Sequence, residues 1–150
     1  GLEGLRGALK QSVARTGPKS SGLRELAAAF FDFSMGHPQY MDLIMAYESR
    51  YFVYHNRTAS TDSDSHLERC QQVSDDMARL VTAAIEAGMT AGGVKSDLTA
   101  HQLMLILWGQ IVGVMKILRM REKNFDAAYG ISRGALFDRF VGMVERALAP

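Results

Sequence analysis

The stretch LMLILWGQIVGVMKIL, residues 103 to 118, most constrains the fold, because it holds no formal charge from Leu103 to Met115 and its apolar residues fall on every side of a helix. A helix that is apolar all round has to be covered all round. In a chain of 150 residues with 17 Lys and Arg against 16 Asp and Glu, a single core gives such cover only to a central helix. A helix that faces its own core on one side and a second subunit on the other meets the same demand. The second arrangement is expected here, because Gly109 and Gly113, four residues apart, strip side chains from one flank and let another backbone approach. Met104, Trp108, Ile111 and Met115 lie on other flanks, where they fill an interior. Gln110 and Lys116 interrupt the run before it reaches the roughly 20 apolar residues of a membrane span, so no membrane association is expected.

The rest of the chain reads as helix too. Only three prolines occur, and no stretch alternates apolar and polar residues long enough for a half-buried strand. Leu2, Leu5, Leu9 and Val13 place a first helix at about 2–15, and Gly17 and Pro18 end it. A second runs from Ser21 to a stop at Gly36, with Leu23, Leu26, Ala27, Phe30 and Phe33 on one face. Pro38 opens a third, since its missing N–H costs nothing in a first turn, and a polar loop, NRTASTDSDS, follows it. SHLE fits a capping box that starts a fourth helix at Ser65, and Gly88 stands where a left-handed cap would stop it. Thr99 and Gln102 form a second capping box, launching the apolar helix, which ends near Lys123. FDAAYGIS reads as a connector, and a last helix spans about 131–148. The expectation is one all-α domain over 1–150 of about six antiparallel helices.

Charge and composition narrow the function. A net charge of +1 gives no bulk footprint for nucleic acid. ESRYFVYHNR mixes Arg50 and Arg57 with Tyr51, Phe52 and Tyr54, but two arginines are a thin patch for single strands. Cys70 is the only cysteine, which rules out an internal disulfide and fits the cytoplasm; on the apolar stripe of its helix it should be inert. The chain offers no catalytic constellation: its histidines, 37, 55, 66 and 101, make no i, i+4 pair, and GLEGLRG lacks a preceding strand. Asp62, Asp64 and His66 alternate as ligands in an extended metal-binding loop do, but a solvated loop leading into a capped helix is the preferred reading of them. No enzyme activity, metal or cofactor is expected.

Two segments carry a family likeness. FFDFSMGHPQYMDLIM, a helix that stops before His-Pro and restarts rich in aromatics and Met, resembles the middle of the ligand-binding domain of tetracycline-repressor-like (TetR family) transcriptional regulators. AIEAGMTAGGVKSDLTAHQLMLILWGQIVGVMKIL resembles the family's long helix with an Ala-Gly turn, a short loop to an Asp and an apolar helix bearing Trp and Gly, here Ala87, Gly88, Asp97, Trp108 and Gly113. The family's helix-turn-helix DNA-reading unit has no counterpart in these residues, and the first residue, a Gly in place of Met, fits a trimmed chain.

The resemblance implies a homodimer whose last two helices make a four-helix bundle with their partners, a small hydrophobic effector inside each subunit, and DNA contact only through the separate N-terminal unit. A repressor released by its effector is the commoner form. With that architecture as guide, the pocket lies among the second to fifth helices, with Phe30, Phe33, Met41, Ile44, Met45, Met77, Val81, Met104, Trp108 and Ile111 as its lining. Tyr47, Tyr51, His55 and Gln110 are candidates to orient a polar group. Few charges on the inner faces point to a neutral or weakly polar ligand. The dimer seam takes Gly109 and Gly113 with Phe137, Phe140, Val141 and Val144. Each methionine also serves as plain core packing, and an α-helical interaction bundle without a ligand is the alternative. A closed interior favours the bundle, and a cavity with a few polar groups favours the sensor.

Overall fold

Apolar spacing of three and four is realised as helix. The computed structural model describes residues 1–15, 22–55, 63–120 and 123–150, apart from the side chains of 50–55, 63–65 and 120. Among the described residues there are seven helices and no strand: α1 (Leu2–Arg15), α2 (Leu23–Gly36), α3 (Pro38–His55), α4 (Ser63–Thr90), α5 (Ala100–Met120), α6 (Phe125–Tyr129) and α7 (Arg133–Leu148). The side chains of Arg50, Tyr51, Phe52, Tyr54, His55, Asp64 and Ser65, and all of Gly17, Pro18, Arg57 and Asp62, lie outside the described residues.

The expected capping box at α5 forms reciprocally. The Gln102 amide donates to Thr99 Oγ1 at 3.2 Å, and the Thr99 amide donates to Gln102 Oε1 at 3.0 Å. Other boundaries differ. α4 starts two residues before Ser65 and continues through Gly88 to Thr90. Its left-handed cap is Gly92, at φ 75°. The Gly93 amide donates to Gly88 O at 2.9 Å and the Gly92 amide to Met89 O at 3.0 Å, which is the paired closure of a Schellman turn. The connector after α5 also holds a helix, α6, bracketed by left-handed Asn124 and Gly130. It forms because it buries Phe125, over whose ring the Arg133 guanidinium sits at 5.5 Å.

The hub is α2, which packs against α1, α3, α4, α5 and α7. Its Phe30 and Leu26 meet Leu5 and Leu9 of α1, Met41 and Ile44 of α3, and Val73 and Met77 of α4 in one core cluster that extends to Met115, Leu118, Phe137 and Val141. A second cluster joins Ile85, Val94, Ala100, Leu103 and Met104 around the α4–α5 turn. Ion pairs tie the outside: Arg6 to Asp76 at 2.7 Å and Arg69 to Glu3 at 2.6 Å link α1 to α4. Arg24 on α2 grips Glu145 and Asp138 on α7, both at 2.5 Å.

The apolar helix α5 is covered on one side only. Leu103, Met104, Met115 and Leu118 are buried, whereas Leu105, Ile106 and Ile117 are 55%, 47% and 52% exposed. Gly109 and Gly113 lie between them, and a methyl group added at either would meet no neighbouring atom. Gln110 and Lys116 do not shorten the helix. By length and composition Ala100–Arg119 is long and apolar enough to cross a membrane, which corrects the expectation that it falls short.

Candidate functional site

The two core clusters do not close on each other. Val81 on α4 and Trp108 on α5 pack against both, and a cavity of about 310 Å³ opens between them. That is the lower end of the volumes that hold small organic ligands. Leu9, Leu26, Ala27 and Phe30 contribute from α1 and α2, Met77, Ala78 and Val81 from α4, and Met104, Trp108 and Ile111 from α5. The Phe30 and Trp108 rings meet edge to face, with centroids 5.4 Å apart.

Among the described residues, five polar side chains share this otherwise apolar surface: Glu48, Gln71, Ser74, Asp75 and Glu145. They differ in how far they are satisfied. Glu145 is held by Arg24 through its Nε and Nη2. Asp75 accepts from Gln71 Nε2 at 2.7 Å, and Gln71 Oε1 in turn lies 3.4 Å from the Tyr47 hydroxyl. Glu48 on α3 is half-buried. Burial pushes its carboxyl above the ordinary value, and the Trp108 indole N–H works the other way without cancelling the shift.

Six of the ten expected lining residues come together here: Phe30, Met77, Val81, Met104, Trp108 and Ile111. The other four do not. Phe33, Met41 and Ile44 are buried in the first core cluster and half-buried Met45 packs on it, because the first turns of α3 bear directly on α2. Of the polar candidates, Tyr47 is buried one step behind Gln71 and Gln110 is exposed on the opposite flank of α5. The expectation of charge-poor inner faces is corrected by three carboxylates. Glu48 was legible: Met41, Ile44 and Glu48 follow one another at steps of three and four, so an acid continues an apolar stripe.

The expected seam residues divide. Gly109 and Gly113 are on the open flank of α5. Phe137 and Val141 are buried within their own chain, Phe137 stacking on Phe31 with centroids 4.5 Å apart, and Phe140, Val141 and Val144 line the cavity. The aromatic stripe of α7 is therefore spent on α2, and its open flank carries Met143, 62% exposed. A shallow apolar groove lined by Gly113, Val114, Ile117, Leu136 and Phe140 runs between α5 and α7.

Among the described residues no group of three or more His, Cys, Asp or Glu is placed to hold a metal ion. Cys70 is free and half-buried. No protein-family model, curated protein or solved structure matches the chain.

Proposed function

We propose that the chain is the effector-binding and dimerisation part of a TetR-like transcriptional regulator, in which a mainly apolar small molecule occupies the cavity and a second copy covers the open flank of α5. The observation that carries this reading is one helix with a cavity against its inner face and an open outer face. On α5, Met104, Trp108 and Ile111 line the cavity, while Ile106, Gly109, Gly113 and Ile117 face outward. A ligand that moves α5 thereby alters the surface that a partner would meet. Regulation follows if the ligand has different affinity for two arrangements of the dimer.

A protein cover for α5 is favoured over lipid. α4 packs along α5 and holds Asp76 and Arg79 in ion pairs, besides Asp75 and Arg69. A bilayer around α5 would strip water from these ions, at a cost of several kcal/mol each. The cavity is the feature that an interaction bundle without a ligand does not need.

The test uses N-phenylnaphthylamine, an uncharged probe that brightens in apolar sites, together with sedimentation equilibrium. Saturable binding of one probe per chain, abolished by Ala78→Phe in a folded dimer, is expected. A folded chain that binds no probe in a saturable way refutes the sensor and leaves the interaction bundle. A monomer at all concentrations removes the dimerisation role.

A further inference from the structure

We propose that the cavity takes an amphipathic organic monocation, a hydrophobic body bearing one amine or quaternary ammonium group, with Glu48 as counter-ion and Trp108 and Phe30 as aromatic wall. This inference rests on the reading of the cavity as a ligand site and names the class of its ligand.

The charge pattern of the lining is one-sided. Glu48, Asp75 and Glu145 belong to it, and among the described residues no Lys, Arg or His does. Glu145 already has the Arg24 guanidinium, and Asp75 is exposed to water beside the Gln71 amide. Glu48 is the one that a ligand would complete. It is half-buried, it faces the neutral indole N–H of Trp108, and among the described residues no cation pairs with it. Its raised proton affinity is what an acid shows when burial is not offset by a positive neighbour.

The rest of the lining fits the other half of such a ligand. Trp and Phe faces attract cations through their quadrupoles, Trp most strongly; both rings border the cavity, Trp108 against Glu48 and Phe30 against Trp108. Met77, Val81, Met104 and Ile111 supply the apolar surface. An anion would meet three carboxylates, and a neutral hydrocarbon would leave Glu48 half-desolvated and unpaired. A volume of about 310 Å³ suits a body of one or two rings.

Two probes of matched shape test the charge: para-tert-butylphenyl-trimethylammonium and uncharged para-di-tert-butylbenzene. Each is titrated into the full chain at neutral pH, with displacement of N-phenylnaphthylamine and the emission of Trp108, the only tryptophan, as readouts. The monocation is expected to bind roughly tenfold or more tightly than its isostere. Glu48→Gln should erase that preference and leave isostere binding unchanged. An isostere that binds the natural chain as well as the monocation overturns the proposal without any variant, and so does a preference that survives Glu48→Gln. In either case bound N-phenylnaphthylamine shows that the ligand site itself stands. If no probe binds, the charge assignment falls together with the site.

Discussion

The rings of Phe30 and Trp108 stand edge to face, 76° apart in plane, and join the hub helix α2 to the half-covered helix α5. Beside this contact the two core clusters meet without closing. Trp108→Ala should therefore cost about 2–4 kcal/mol, below the upper range for a buried Trp because the residue is only half-buried. Trp108→Phe keeps an aromatic partner for Phe30 and should cost less than about 1.5 kcal/mol. Urea unfolding followed by circular dichroism checks both, and equal losses would mean that the ring Phe retains at this position contributes nothing to stability.

Turns on either side of the α4–α5 connection offer a second prediction. Thr99→Ala removes one arm of the capping box and should destabilise the chain by about 1 kcal/mol. Gly92 holds φ 75° with open space around it, so Gly92→Ala suffers from backbone conformation alone, again about 1 kcal/mol. Gly88→Ala makes a useful contrast, since Gly88 is inside α4 and needs no left-handed conformation. Thermal melts of the three variants should show loss at Thr99 and Gly92 from capping and φ. A loss at Gly92 absent from the melts would remove the Schellman turn as the reason α4 ends there.

Helix identity was readable from apolar spacing because each helix lays a stripe on α2 or α4, and caps at Thr99 and Pro38 act through local chemistry that neighbours do not change. The cavity was readable only in part. Phe30, Met77 and Trp108 share their spacing with Phe33, Met41 and Ile44, and periodicity reports which side of a helix is inward but not where inward side chains fail to meet. α6 was hidden for a related reason: five residues are too few to show a period, and burial of Phe125 is what fixes them. Of the α7 stripe, Phe137 and Val141 are buried within their own chain, because α2 reaches that face of the helix.

Acid and base should act on the fold through opposing groups. The folded chain binds the Glu48 proton more strongly than the unfolded chain does. Its contribution to stability is complete below the ordinary value of 4.5 and is lost as pH rises through the raised value. Glu48→Gln, which copies the neutral carboxyl, should match the natural chain in acid and exceed it in stability toward neutral pH. Glu3 and Asp76 pull the other way, because Arg69, and Arg79 with Arg6, hold their carboxyls low, so their contribution is lost as pH falls through those lowered values. Both are exposed enough for salt to screen. Denaturation curves across pH at high salt should isolate Glu48, and a variant less stable than the natural chain at neutral pH would show that the carboxylate is better satisfied than its surroundings indicate. Among the described residues, Gln71, Ser74, Asp75, Trp108 and Glu145 are the polar groups that share its cavity.

The outward flank of α5 supplies the last prediction. Ile106, Gly109, Gly113 and Ile117 succeed one another at steps of three and four on its open side, and Leu105 stands beside them. In a monomer a methyl group added at Gly113 meets no neighbouring atom and Ile106 is 47% exposed, so Gly113→Leu and Ile106→Glu should change the unfolding free energy of a single chain by only about 0.5 kcal/mol. In a dimer closed by this flank, Gly113→Leu crowds the approach of two backbones and Ile106→Glu puts a carboxylate into the seam, where burying an unpaired charge costs several kcal/mol. Sedimentation equilibrium should show both variants as folded monomers at concentrations where the natural chain is paired. If both remain dimers of unchanged affinity, the contact lies elsewhere, and the groove of Val114, Ile117, Leu136 and Phe140 becomes the next surface to alter.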